Sequence, residues 1–291
     1  MLAAGERGIR IATIHPMKRR DFFKTSLAAT AFAGIHNALA AGDGQTKREF
    51  YELRAYALKP DKQKLTDDYL GGALIPALGR LGIGPVGVFL DAPELNPPPT
   101  AKPGQPPPPP TPPSLYVLTR YTSLDQIVTV ATQLAADAEY QKAGEAYLHV
   151  PSSDPVYDRM ESSLLLAFEG MPVLDAPAKK ERIFQLRTYE SHSETAAKKK
   201  IELFNKAGEI AIFRRCGLKP VFFGETLVGL RMPNLTYMLT FPDDDARKEA
   251  WNKFRTDPEW LKLKVMPEYA DRNIVSKIWN RVLKPASYSQ I

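Results

Sequence analysis

The sequence has one cysteine, Cys216, and four histidines in 291 residues. A single cysteine rules out an intrachain disulfide, so stability has to come from the core. No cysteine and histidine spacing suits a metal site, and no metal is expected. There is no glycine-rich phosphate loop and no Gly-x-Ser-x-Gly turn, which speaks against nucleotide enzymes and serine hydrolases. A basic stripe is also missing. The formal charge is +6, but residues 1–40 alone carry six bases and two acids. The remainder is nearly balanced, which argues against a nucleic-acid partner. The one basic run, Lys198-Lys199-Lys200, reads as the solvated face of a helix. Cys216 follows two arginines that favour a thiolate, yet its place at a helix end reads better as a small buried hydrophobe.

No apolar run is long enough to span a bilayer. The apolar stretch that exists, Thr25 to about Ile35, follows Lys18-Arg19-Arg20-Asp21-Phe22-Phe23-Lys24 and precedes Ala38-Leu39-Ala40. Basic, apolar and small-residue segments in that order form a signal peptide over residues 1–40. The paired arginines resemble a twin-arginine signal, which implies export in the folded state to the periplasm or beyond. Met17 is an alternative start.

What the chain does have is an internal echo. Tyr51-Glu52-Leu53-Arg54-Ala55-Tyr56 matches Phe184-Gln185-Leu186-Arg187-Thr188-Tyr189 at an offset of 133. Leu115–Tyr121 matches Leu235–Phe241 at an offset of 120, and the same offset carries Asp137–Tyr140 onto Asp257–Trp260. Ordered agreements of this kind mark a repeat. Alternating apolar positions predict strands at Glu49–Leu58 and Arg182–Tyr189, Val86–Leu90 and Val221–Leu230, and Leu115–Tyr121 and Leu235–Phe241. Last strands are predicted at Ser162–Phe168 and Ile274–Trp279.

Helices fall between them. Leu65, Tyr69, Ala73, Ala77 and Leu81 form a helical stripe, interrupted by Gly71-Gly72 and Pro76. In the second copy Ser191-x-x-Glu194 reads as a capping box, with Ile201, Phe204, Gly208 and Ala211 as the buried stripe. Gly82-x-Gly84-Pro85 and Gly217-x-x-Pro220 stop the two helices. Second helices begin near Ser123 and Asp243. Each copy reads β-α-β-β-α-β, the ferredoxin-like order. The copies span residues 47–170 and 181–285. A proline-dominated insertion at residues 92–113 interrupts the first.

Tyr51-Glu52-Leu53-Arg54-x-Tyr56 with Leu58-Lys59-Pro60, and Asp257-Pro258-Glu259-Trp260 near the other end, resemble the NIPSNAP family across both copies. That resemblance implies an α+β fold of the dimeric α+β barrel group, with two ferredoxin-like modules closing into a barrel within one chain. A His-x-Trp-x-Tyr-like stretch found in many members is absent from Val117–Tyr121 and Met238–Phe241, so no role of that histidine carries over.

Strand alternation sorts each first strand into two faces. Tyr51, Leu53, Ala55, Phe184, Leu186 and Thr188 form an apolar face assigned to the helices. Glu52, Arg54, Tyr56, Gln185, Arg187 and Tyr189 form a polar face assigned to a shared barrel interior. There they would bind a small apolar or anionic ligand, arginine as a fork of donors and tyrosine as a polar tip. His192, three residues after Tyr189, is the candidate general base. Three functions remain open: a ligand-binding protein, an α+β barrel enzyme (a cofactor-independent oxygenase, an isomerase or a haem-dependent protein), and an interaction module docking through the proline-rich loop. No cofactor is expected otherwise, and a homo-oligomer is compatible with each.

Overall fold

In the computed structural model, residues 47–96 and 114–291 are described, and they belong to one compact unit. The leader segment and residues 97–113 of the proline-rich insertion lie outside the described residues. The first half contributes strands β1 (Phe50–Leu58), β2 (Val86–Asp91), β3 (Ser114–Tyr121) and β4 (Tyr157–Ala167). The second contributes β5 (Ile183–Glu190), β6 (Lys219–Val228), β7 (Asn234–Phe241) and β8 (Lys277–Pro285). They close into an eight-stranded antiparallel barrel in the order β1-β3-β2-β8-β5-β7-β6-β4. Within it the halves repeat one pattern, β2-β3-β1-β4 and β6-β7-β5-β8, joined at the β2/β8 and β4/β6 seams. The expected α+β barrel is therefore what the chain forms.

The β2/β8 ladder is short, from Phe89↔Pro285 to Asp91↔Leu283. The C-terminal tail extends it. Ala286 N donates to Val88 O and Gln290 N to Val86 O, each at 2.9 Å. Ser289 Oγ and Gln290 Oε1 accept from the Val88 and Val86 amides. Ile291 ends fully buried among the barrel-lining side chains. The tail thus satisfies backbone groups that an open seam would leave unpaired.

An eight-stranded barrel is just wide enough for side chains to fill it. One apolar cluster draws on all eight strands and fills it: Tyr51, Phe89, Leu118, Leu165, Phe184, Phe222, Met238 and Leu283 among others. Two further cores lie between the outer barrel face and the helices, one in each half. This inverts the sequence-based assignment of faces. Tyr51, Leu53, Phe184 and Leu186 point into the barrel, while Tyr56 and Tyr189 pack under the helices. Alternation separates the two sets, but the narrow interior takes the apolar one.

In the first half, α1 (Gln63–Tyr69) runs through a π-helical turn, Leu70–Leu74, into α2 (Ile75–Arg80). A Cβ at Gly71 in that turn would come within 3.1 Å of the Tyr288 ring, tighter than ordinary contact. Tyr288 Oη also donates to Asp67 Oδ1 at 2.6 Å, tying the tail to α1. Next come α3 (Leu124–Ala136), α4 (Ala138–Ala143) and α5 (Glu145–Leu148). In the second half, α6 (Glu194–Asn205) and α7 (Glu209–Arg215) precede β6, and α8 (Asp244–Thr256), α9 (Pro258–Leu263) and α10 (Asp271–Ile274) precede β8. No helix among the described residues is long and apolar enough to cross a membrane.

Three local expectations change. The cap of α6 is Ser193, whose hydroxyl accepts from Ala196 N, while Ser191 Oγ donates to Ile274 O. Ile274, expected to open the last strand, ends α10 instead, and the strand runs Lys277–Pro285. Lys200 is not solvated: its side chain is 1% exposed.

Candidate functional site

The polar face of β5 looks outward under α6 to α10, and a cavity of about 550 Å³ opens there. Strand β5 supplies Gln185, Arg187 and Tyr189, and β8 supplies Asn280. Lys200 comes from α6, Glu209 from α7, Trp251 from α8, Trp260 from α9 and Asp271 from α10. Arg247, Lys248 and Arg255 of α8 add further positive charge.

Arg187 is central to it. Its Nη2 donates to Tyr189 Oη at 3.0 Å, and its guanidinium lies over the rings of Trp251 (4.7 Å) and Tyr189 (5.3 Å). Stacking of this kind holds a guanidinium without neutralising it. Its Nε is buried and, among the described residues, has no hydrogen-bond partner and no carboxylate paired with it. The buried Arg182 Nε is also without a partner, but Arg182 lines no part of this cavity. An unmatched buried donor on a permanent cation is costly unless something fills it. Gln185, two residues before, is committed elsewhere. Its Nε2 donates to Asn280 Oδ1 and its Oε1 accepts from Trp251 Nε1, both at 2.6 Å. Tyr189 Oη meets Tyr237 Oη at 3.0 Å, and burial raises the Tyr237 phenol well above its ordinary pKa.

Beside this lies a buried ion triad. Lys200 Nζ is 3.4 Å from Glu209 Oε2 and 3.2 Å from Asp271 Oδ1. Lys200 and Glu209 are all but inaccessible, whereas the Asp271 side chain is 50% exposed. Three rings, Tyr189, Phe204 and Trp260, surround the ammonium at 5.1 to 5.7 Å. Burial pushes the Glu209 carboxyl up to about 7 against the pull of Lys200. For Lys200, desolvation opposes the charge, but Glu209 and Asp271 outweigh it and hold the pKa above the usual lysine value.

The same face of β1 is built differently. Arg54 Nε donates to Glu52 Oε1 at 2.7 Å, so this arginine is paired. Glu52 also accepts from Tyr121 Oη and Ser162 Oγ. The adjoining cavity, about 290 Å³, is lined mainly by apolar side chains from α3 and the α1–α2 region. A third cavity, about 270 Å³, opens at one mouth of the barrel among Leu53, Ala55, Thr188, Thr236, Asn234 and Arg231.

The six ligand-binding candidates therefore do not meet in one interior. Glu52 and Arg54 lie in one helix–sheet space, Gln185, Arg187 and Tyr189 in the other, with the packed barrel core between them. Tyr56 is buried in the first half's helix–sheet core. His192 is exposed, sits in the turn before α6 and lines none of these cavities, so it is not placed as a general base. Sequence reasoning missed Lys200, Glu209 and Asp271. One signal was available: Lys200 lies on the helical stripe of Ala196, Ala197, Leu203 and Phe204, a buried face where a cation needs partners.

Residues 184–290 match the NIPSNAP family model. All the residues that line the 550 Å³ cavity fall inside the NIPSNAP match. A NIPSNAP family protein from Agrobacterium tumefaciens strain C58 is 21% identical over 38% of this chain and 98% of its own, with a TM-score of 0.33. A candidate monooxygenase from Lactobacillus acidophilus NCFM is 9% identical over 82% of this chain and 94% of its own, with a TM-score of 0.52. That second likeness is one of fold and extends over both halves. A search of curated proteins finds no match.

Proposed function

We propose that this chain is an exported protein built from two NIPSNAP-type copies, and that it binds a small aromatic anion in the helix–sheet cavity of its second half. The observation that carries the reading is Arg187, a buried guanidinium stacked on Trp251 with an unmatched Nε and no carboxylate partner. A ligand carboxylate would take that donor, and Trp251, Tyr189 and Trp260 would pack its apolar body. The shared strand pattern of the halves, and the matches of Tyr51–Tyr56 and Asp137–Tyr140 with their counterparts, support two copies. Export rests on the order of Arg19-Arg20, the apolar stretch and Ala38-Leu39-Ala40; fractionation of the producing cell should find the chain outside the cytoplasm, shortened at its amino terminus.

Binding is tested by calorimetry with benzoate and phenylpyruvate as probes. The wild type should bind at least one of them, and Arg187→Ala should weaken binding about ten- to hundredfold, the worth of a charge-assisted contact. Equal affinity in the two proteins would remove the site.

A further inference from the structure

The cavity holds more than an anion hook. Its lining has no serine, cysteine or histidine, and both its lysines are held protonated by carboxylates, Lys200 by Glu209 and Asp271 and Lys248 by Asp244 and Asp245. A covalent nucleophile is therefore not among its parts. The parts it does have are a buried carboxylate, a fixed cation and the phenolic hydroxyl of Tyr189. The carboxylate is connected: Glu209, Lys200 and Asp271 form a chain of contacts from the cavity wall to a half-exposed side chain. Such a chain lets a buried acid exchange protons with solvent while the cavity is occupied.

We propose that the cavity is catalytic, with Glu209 moving a proton on and off the carbon beside the carbonyl of a small aromatic 2-oxo acid whose carboxylate Arg187 holds. This rests on the anion-site reading above. In the forward step the C–H bond breaks, its proton goes to the Glu209 carboxylate, and its electron pair forms the carbon–carbon double bond of an enolate. The charge moves to the former carbonyl oxygen, where Arg187 and the Tyr189 hydroxyl, 3.0 Å apart, supply hydrogen bonds. Return of a proton to that oxygen gives the enol, and return to carbon regenerates the keto acid. No oxidant, reductant or third reactant is consumed.

The base suits this work. General acid–base groups act best with a pKa near the working pH. Burial raises Glu209 to about 7, with Lys200 and Arg187 pulling it down and Asp271 pushing it up. Tyr237, on β7, also acts on it and stays protonated, and Tyr189, Arg247, Lys248 and Arg255 line the same cavity.

The test uses the full chain and phenylpyruvate in D2O, with loss of the methylene proton signal followed by NMR. Wild-type protein should speed the washout over buffer. Glu209→Gln should slow it about a hundredfold, the usual share of a general base, while calorimetry shows phenylpyruvate still bound. Asp271→Asn should slow it less, about tenfold, through slower proton exchange with solvent. The wild-type rate should rise between pH 5 and pH 8, with its midpoint near 7. A flat wild-type profile overturns the proposal even if Glu209→Gln does not fold. Binding without washout overturns the catalytic proposal and leaves the anion site standing. Failure of phenylpyruvate to bind overturns the catalytic proposal, and failure of benzoate as well removes the anion site.

Discussion

The two halves present the same trio on the outer face of their first strands, and one side chain sets them apart. In the first half Glu52 neutralises Arg54 at 2.7 Å. In the second half Gln185 stands in the matching place, is committed to Asn280 and Trp251, and leaves Arg187 without a directly paired carboxylate among the described residues. The helices above follow suit. Over β1, Tyr69 and Tyr140 share a hydroxyl contact of 2.8 Å, and Tyr147 stacks on Tyr69. Over β5 stand Lys200, Glu209 and Asp271 beside a cavity almost twice as large. A shared strand pattern can thus carry one structural and one chemical half, because burial makes each unpaired charge decisive.

The largest effect expected from breaking this contrast is on stability. Lys200→Met leaves Glu209 buried without its cation, which should cost about 3–5 kcal/mol at pH 8. At pH 5 the loss should be smaller, since Glu209 can take up a proton instead. The wild type carries the related signature. Glu209 is raised from 4.5 to about 7 in the folded chain, so its stabilising contribution is present below about pH 4.5 and is lost as pH rises through 7. Relative to Glu209→Gln, wild-type stability should fall by about 3 kcal/mol across that window. Denaturant unfolding at pH 5 and pH 8 measures both. A cost for Lys200→Met that does not change with pH would mean that Glu209 is not the group left stranded.

Next comes the exchange of the deciding side chain. Gln185→Glu places a carboxylate beside Arg187, as Glu52 stands beside Arg54, and should weaken anion binding about ten- to hundredfold. The reciprocal Glu52→Gln should free Arg54 and add a second, weaker site for benzoate. Calorimetric stoichiometry reads both. Unchanged binding in Gln185→Glu would show that neutralisation is not what separates the halves.

Much of this architecture was legible in the sequence. The matches of Tyr51–Tyr56 with Phe184–Tyr189 and of Leu115–Tyr121 with Leu235–Phe241 place β1 against β5 and β3 against β7 in the repeated order. Alternation separated Glu52, Arg54 and Tyr56 from Tyr51, Leu53 and Ala55. It does not say which set faces inward, because both faces of a barrel strand are covered here, one by the opposite strands and one by helices. The deciding fact, a barrel whose middle is filled by apolar side chains from all eight strands, belongs to closure and not to any single strand. The site was legible only in part for a similar reason. Arg187 and Tyr189 come from the strand motif, but Glu209 and Asp271 are brought to Lys200 by the packing of α7 and α10 on α6. The lysine run hid its buried member, and the α6 cap lies two residues beyond the expected serine.

The smallest predicted effect separates the tyrosine pairs. Tyr69 with Tyr140 and Tyr189 with Tyr237 are hydroxyl contacts of 2.8 and 3.0 Å, one pair in each half. Deleting either first hydroxyl leaves a buried partner hydroxyl short of a bond, at about 1 kcal/mol. Tyr69→Phe and Tyr189→Phe should therefore lower stability alike. Only Tyr189 also meets Arg187, so only Tyr189→Phe should weaken benzoate binding, by about tenfold for one lost hydrogen bond to the charged group. If Tyr69→Phe lowered affinity as much, the two helix–sheet spaces would be coupled across the barrel core, and the division into a structural and a chemical half would fail.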